Sequence, residues 1–386
     1  HDETVLLIER SKQMYGGTCI NVGCLPSKNL ILNGQRGLDF TAAVNKRGEM
    51  TRQLRDKNYH MVADEPLATV WDGSARFIDN YVLAVVMSDG TTKKVRGERI
   101  FINTGAVPNW PSIPGLEFGQ RIFTSKEAME LKKQPKRLAI IGGGYIGLEV
   151  AESYAKHGID VTIVDFAPRI LNTYLDQELT DILTNEGTKH NLKVHGGEKV
   201  LSFKGENGKV TAVITDKGEY EADTVIMSVG VRPDASWLNG ELELTERGFV
   251  VTNEYLETSA KDVYAGGDST LLPYAPTRGQ LPIALATLAR RQGVIAALNA
   301  MGIKTKMPAV NGTSALSFFD YKFVSTGLSQ NGVSLYDGKV SSKYVEEKIY
   351  PDFMRKENNL VHMKIYFDED THRVLGAQFM SKHDVS

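Results

Sequence analysis

Residues 137–165 read RLAIIGGGYIGLEVAESYAKHGIDVTIVD, and their texture changes three times within about 30 residues. Arg137 to Ile141 is a short apolar run that ends on Gly142-Gly143-Gly144. Ile146, Val150 and Tyr154 then recur at helical spacing up to Gly158, a residue suited to stopping a helix. Val161 to Val164 is a second apolar run, closing on Asp165. Strand, glycine turn, helix and strand together predict one βαβ unit. A Gly-x-Gly-x-x-Gly string is weak alone, but here Gly142, Gly144 and Gly147 follow a strand and open a helix. Asp165 comes 23 residues after Gly142, at the end of the next strand. That context predicts a dinucleotide site with the pyrophosphate at the helix N-terminus and Asp165 on the ribose hydroxyls. A carboxylate there repels a ribose phosphate, so NADH is expected in preference to NADPH.

Outward from this unit, Val5 to Ile8 ending on Glu9 predicts the last strand of a second unit, whose first strand and glycine turn are expected before His1. Alternating stretches between Leu67 and Ile102 predict hairpins, with Asp89-Gly90 as one turn. Similar hairpin material fills residues 199–230. Each block ends on a related string, NTGAVP at residues 103–108 and SVGVRP at residues 228–233, which points to internal duplication. A helix is expected from Ile283 to Met301, and short strands beyond Met307 predict a separate α+β unit.

Composition narrows the function classes. The 386 residues are 41% hydrophobic and 24% charged, as ordinary globular material is. Forty-five basic and 47 acidic side chains nearly cancel, leaving no global field for nucleic acid or an anionic membrane. No apolar run is long enough to span a bilayer, and HDETVLLIER at the start does not resemble an export signal, so a cytoplasmic location is the expected default.

The two cysteines sit together in GGTCINVGCLPSK, residues 16–28. A structural bridge closing so short a loop would contribute only about 2 kcal/mol. A zinc site would need ligands that no second cysteine pair supplies. Two thiols in one loop, at the start of a helix with Pro26 in its first turn, suit a redox pair, because the helix dipole favours a thiolate.

That string resembles the active-site signature of the flavoprotein disulfide reductases, the family of dihydrolipoamide dehydrogenase, glutathione reductase and mercuric reductase. The resemblance implies an α/β fold with two Rossmann-like dinucleotide-binding domains and a C-terminal α+β interface domain. The FAD-binding domain would comprise residues 1–115 and 235–304, the NAD-binding domain 116–234, and a partial interface domain 305–386. Both the N-terminal strand and the C-terminal end of such a protein are expected beyond this chain. Glu9 falls on the position that binds the FAD adenosine ribose, and Gly17, Thr18 and Lys28 on flavin-contacting positions. Ala75, Thr104 and Gly105 match weaker FAD contacts, and Gly230 is the counterpart of Gly105 in the second unit. Asp268 in Ala265-Gly266-Gly267-Asp268 resembles the aspartate that binds the ribityl chain. The helix after QLPIA would aim its positive end at the flavin. Glu149 lies where the family's glutamate pairs with the active-site lysine, here Lys28. Tyr145 resembles the aromatic that covers an empty nicotinamide pocket, with plain packing as its other reading.

The activity so implied is FAD-dependent oxidoreduction, from NADH to FAD to a Cys19–Cys24 disulfide and on to a small disulfide or sulfur oxidant. Cys24 would sit beside the ring and Cys19 would be the outer nucleophile. The front half is similar to mercuric and hypothiocyanous acid reductases. Residues 271–293, 311–329 and 374–382 instead resemble the branch containing NADH oxidase, NADH peroxidase and coenzyme A-disulfide reductase, which generally uses one redox cysteine. An oxidase or peroxidase is therefore the second reading, and a non-catalytic assembly subunit the third. The family implies a homodimer and a late His-Glu acid–base pair. His362, His372 and His383 do not match that pair and read as surface residues.

Overall fold

The computed structural model describes residues 3–79, 81–115, 117, 120–238, 240–351, 353–354 and 358–383. His1 and Ser386, the ends on which the expected truncations rest, lie outside them.

The glycine-turn unit forms as its texture predicts. Strand Arg137–Ile141 runs parallel to Asp160–Asp165 on one side and to Thr224–Met227 on the other. Leu192–Gly196 and Ile122–Thr124 complete a five-stranded parallel sheet. These strands read as continuous apolar runs because both faces are covered, the usual condition of a parallel sheet. Helix Tyr145–Ala155 lies on one face with nine of its residues buried, and Leu138, Ile140, Leu148, Ile163 and Leu183 form the core between the layers.

In the other unit, Val5–Glu9 pairs in parallel with Ala68–Asp79, which continues as an antiparallel meander through Val82–Met87 and Thr92–Arg96. Ile100–Ile102 then leaves the meander to pair in parallel with Val263–Ala265. The chain crosses between the units at the two duplicated strings, and these meet: Ala106–Pro108 pairs antiparallel with Val231–Pro233. The expected long helix is shorter than its pattern, Ala286–Ala300.

The last unit is a five-stranded antiparallel sheet that includes Leu360–Asp368 and Val374–Ser381. It docks on the glycine-turn unit through buried polar contacts. Asp176 accepts hydrogen bonds from the Gln330 amide and the Tyr366 hydroxyl, and its own amide donates to Gln378. Glu152, on helix Tyr145–Ala155, accepts from the Phe319 amide at 2.9 Å. His362 corrects the sequence reading: it is buried, with Nδ1 2.9 Å from the Tyr344 hydroxyl. It occupies the inward register of its strand with Lys364, Tyr366 and Asp368, a position fixed by alternation along the strand. His372 is exposed and His383 half-buried. No described helix is long and apolar enough to cross a membrane.

Candidate active site

The redox helix runs from Cys24 to Gln35, with Gly23 at its cap, so Cys24 occupies the first turn. Cys19 lies in the short preceding helix Thr18–Asn21, and both sulfurs are free thiols, the reduced state of such a pair. Asn21 holds the loop between them. Its buried amide donates at 2.9 Å to the carbonyls of both Tyr15 and Gly17, and Arg55 from helix Phe40–Ala63 donates to its oxygen at 2.8 Å.

The two thiols share a proton. The Cys19 thiol is pushed up because it hydrogen-bonds to Cys24 and is partly buried. Cys24 is lowered to about 6 by that hydrogen bond, against the effect of burial, with help from the Lys28 charge. The resting pair is therefore a Cys24 thiolate accepting from a Cys19 thiol. Lys28 is raised: burial works against its charge, and Glu149 more than offsets it.

Glu149 comes from the glycine-turn unit and is buried, not a surface residue. Lys28 Nζ donates to its Oε1 at 2.9 Å, and the Ser27 hydroxyl donates to Oε2. Two consecutive residues of the redox helix thus grip both oxygens of a carboxylate 122 and 121 residues away. Asn21, Ser27 and Arg55 were not singled out from sequence. Asn21 and Ser27 lay inside the quoted motif, but nothing local marks their partners. Reduced protein alkylated with iodoacetamide should show Cys24 reactivity rising through about pH 6, located by mass spectrometry. Lys28→Met should move that midpoint up by about one unit, since it removes a nearby cation. A midpoint near the ordinary thiol value of 9.0 would refute the shared-proton geometry.

The glycine turn fits a dinucleotide. Gly142 has φ +105°, and an added Cβ would fall 2.3 Å from the Ser228 carbonyl oxygen. Gly147 packs its Cα against the Gly142 oxygen, where a Cβ would fall at 2.1 Å. Gly144, the helix cap, has nothing within 4 Å of an added Cβ and no side-chain cap, so the first amides of the helix face open space. Asp165 sits where expected, but it also does something unforeseen. Its Oδ2 accepts from the Gly143 amide at 2.6 Å and its Oδ1 from the Ala167 amide at 2.9 Å. Each carboxylate oxygen keeps a second lone pair for a ribose hydroxyl. The Tyr145 ring lies 4.2 Å from that of Tyr174, and its hydroxyl 3.3 Å from Ser325.

The residues expected to hold FAD also fit that group. Gly17 and Gly105 have positive φ and open space where a Cβ would stand. Gly266-Gly267 abuts the segment carrying Thr104: the Gly266 amide bonds Ile102 O, and a Cβ on Gly267 would meet Asn103 Oδ1 at 2.6 Å. Asp268 is half-buried, its carboxyl pushed up by burial, with no hydrogen-bond partner among the described residues. Buried Gln292 fixes the turn beneath it, accepting from the Gly267 amide and donating to Thr270. Thr104 donates to Asp234 O at 2.6 Å, Glu9 accepts from the Ser11 amide, and Glu9 is paired in register with Asp72. Ala75 lies on strand Ala68–Asp79, Thr18 is exposed at the start of its short helix, and Gly230 accepts from the Asn109 amide at the crossover.

Comparison with known proteins places this arrangement. A family model described as pyridine nucleotide-disulphide oxidoreductase matches residues 1–293. The NADH oxidase of Enterococcus faecalis is 36% identical over 315 residues, 80% of this chain and 70% of that protein. The probable pyridine nucleotide-disulfide oxidoreductase RclA of Escherichia coli is 37% identical over 273 residues, 69% of this chain and 60% of its own. Among solved structures, the water-forming NADH oxidase from Lactobacillus brevis bound to NADH has a TM-score of 0.84 at 26% identity, covering 99% of this chain and 88% of that one. The HOCl-induced flavoprotein disulfide reductase RclA from Escherichia coli, as its Cu(II) complex, has a TM-score of 0.81 at 28% identity, covering 97% and 82%.

Proposed function

This chain belongs to the pyridine nucleotide-disulphide oxidoreductase family, and on that premise we propose that it reduces a small disulfide or sulfur oxidant at Cys19 and Cys24. It is an FAD- and NAD-linked oxidoreductase. The observation that carries the proposal is the pair itself: two free thiols in one loop, Cys24 in the first turn of its helix, beside a Lys28–Glu149 ion pair.

Bound FAD would supply the two-electron chemistry that links NADH to the oxidised pair. The rest is done by residues of the chain. The resting pair is Cys19–SH with a Cys24 thiolate. The Cys19 proton passes to Cys24, and the Cys19 thiolate attacks one sulfur of the substrate disulfide, expelling the first product as a thiolate. Cys24 then gives its proton to that leaving group and attacks Cys19, expelling the second product. One substrate disulfide is reduced to a thiol and a thiolate, and one Cys19–Cys24 disulfide forms. Lys28 neutralises charge beside Cys24 throughout, and Glu149 with Ser27 holds it there. Gly142, Gly144, Gly147, Asp165 and Gly230 would seat NADH, while Glu9, Gly17, Thr18, Lys28, Ala75, Thr104, Gly105 and Asp268 would line the FAD site. Small electrophiles such as hypothiocyanous acid suit a half-buried attacking thiol such as Cys19, because they need no large pocket.

The second reading is an NADH oxidase, favoured by the relatives that carry that name. Anaerobic reduction with NADH followed by a panel of oxidants separates the two. Re-oxidation by hypothiocyanous acid, glutathione disulfide or coenzyme A disulfide should be at least tenfold faster than by oxygen. The reverse order would support the oxidase.

A further inference from the structure

The segment from Asp165 to Asp176 is held from two sides. On one side it lies against the glycine turn. Asp165 accepts from the Gly143 amide, the Leu171 amide donates to the Gly143 carbonyl at 2.8 Å, and a Cβ on Gly143 would meet Ile170 at 2.8 Å. Leu171 sits there at φ +51°, a left-handed conformation that a leucine keeps only where its surroundings enforce it. On the other side, three consecutive residues of the last unit bind the segment. Ser329 Oγ donates to Thr173 O at 2.8 Å, the Gln330 amide to Asp176 Oδ1 at 2.9 Å, and the Asn331 side-chain amide to Asn172 O. Asp176 is the N-cap of helix Gln177–Thr188, where an aspartate ordinarily accepts from the first amides of its own helix. Its buried side chain makes no such bond. One oxygen goes to Gln330, the other accepts from the Tyr366 hydroxyl, and Lys364 Nζ stands 3.6 Å from that second oxygen. A local cap is given up for partners 154 and 190 residues away.

We propose that Tyr366 and Ser329 are positioning residues for NADH: acting through Asp176 and Thr173, they hold the 165–176 segment onto the glycine turn and so fix the seat of the pyrophosphate. The inference rests on the dinucleotide reading of the glycine turn and deepens it, by assigning part of the NADH affinity to the last unit. The segment engages both the amide and the carbonyl of Gly143, so a shift of the segment carries the turn with it. Leu171 gives that shift a direction, because a leucine released from its surroundings leaves the left-handed region. A helix N-terminus holds an anion only while its free amides converge on it, and those amides begin at the turn.

The test uses the flavin-loaded protein, with NADH and ADP-ribose as ligands. Tyr366→Phe deletes one hydroxyl and should weaken ADP-ribose binding, measured calorimetrically, by about fivefold, part of what a hydrogen bond to a charged group is worth. KM for NADH should rise by a similar factor with kcat little altered. Ser329→Ala should act in the same direction by about threefold, the scale of one neutral hydrogen bond. Re-oxidation of the dithionite-reduced variants, by whichever oxidant serves the wild type best, should be unchanged because it bypasses NADH. Tyr336→Phe is the control: it removes a hydroxyl of the same unit that donates to Asp368 at 2.7 Å, away from the segment, and should leave ADP-ribose affinity intact. Unchanged ADP-ribose affinity in both Tyr366→Phe and Ser329→Ala would overturn the positioning role. So would an equal loss in Tyr336→Phe, or re-oxidation slowed as much as binding is weakened. Failure of the wild-type protein to bind ADP-ribose at all would overturn the dinucleotide reading, and the positioning role with it.

Discussion

Cys24→Ser should lower NADH-driven reduction of sulfur substrates by at least about a thousandfold, the scale on which loss of a catalytic nucleophile is felt. Serine has the size of cysteine but neither a thiolate near neutral pH nor a sulfur with which to form a disulfide. In the wild type, Cys24 is the charged member of the pair, lowered to about 6 by the Cys19 hydrogen bond and Lys28. Its replacement removes the acceptor for the Cys19 proton, so Cys19 loses activation as well as its resolving partner. Any mixed disulfide formed at Cys19 should then persist, and intact-mass spectrometry after exposure to glutathione disulfide should find it. Reduction of the bound flavin by NADH should survive, since the glycine turn is untouched. Full sulfur turnover in Cys24→Ser would refute the proposed chemistry. Unaltered oxygen consumption beside lost sulfur turnover would show that any oxidase activity is a separate property of the flavin.

Gly142→Ala is expected to destabilise the protein by about 3 kcal/mol and to abolish NADH binding. Two costs add. A side chain at φ +105° is disfavoured by about 1–2 kcal/mol, and a Cβ 2.3 Å from the Ser228 carbonyl must push backbone aside, at about 1–3 kcal/mol more. The strand pairing gives no easy relief, because the Gly142 amide is bonded to Val164 O and the Ser228 amide to Ile141 O. Gly144→Ala supplies the contrast. Nothing lies within 4 Å of its added Cβ, so the melting temperature should hold to within about 2 °C. That methyl would nevertheless enter the space over the helix amides and weaken NADH binding by at least about tenfold. Thermal melts and ADP-ribose titrations of the two variants measure both effects. Equal destabilisation by both substitutions would show that the turn is not shaped as described.

The parts of the fold that the sequence disclosed are those whose signals are local. The glycine turn between two apolar runs, the thiol loop and the duplicated NTGAVP and SVGVRP strings each fit within a short window, and each forms where expected. Contacts made across long separations left no such trace. Ser27 reads as a minor motif residue until helix Tyr145–Ala155 brings Glu149 to it. Asp176 is an unremarked acid before helix Gln177–Thr188, yet buried bonds from Gln330 and Tyr366 converge on it. His362 was misread because one histidine carries no periodicity. Only the inward register it shares with Lys364 and Tyr366 shows that it is buried. Asp165 was legible as an acid at a strand end, but not as the clamp of its own glycine loop.

The paired crossover Ala106–Pro108 with Val231–Pro233 makes residues 109–230 an insert with adjoining ends. Pro108 and Val231 stand opposite one another, and neighbouring strands are only about 5 Å apart. A two-residue turn would reconnect them. The splice itself would cost little strain and little loop entropy. The two parts are nevertheless joined through their core, because Phe40, Phe318, Phe323 and Met380 outside the insert pack with Leu148, Leu179 and Leu183 inside it. Joining Pro108 to Val231 through Asn-Gly should therefore leave a remainder that aggregates on gel filtration, and a soluble monodisperse product would show that the insert is a separable cassette.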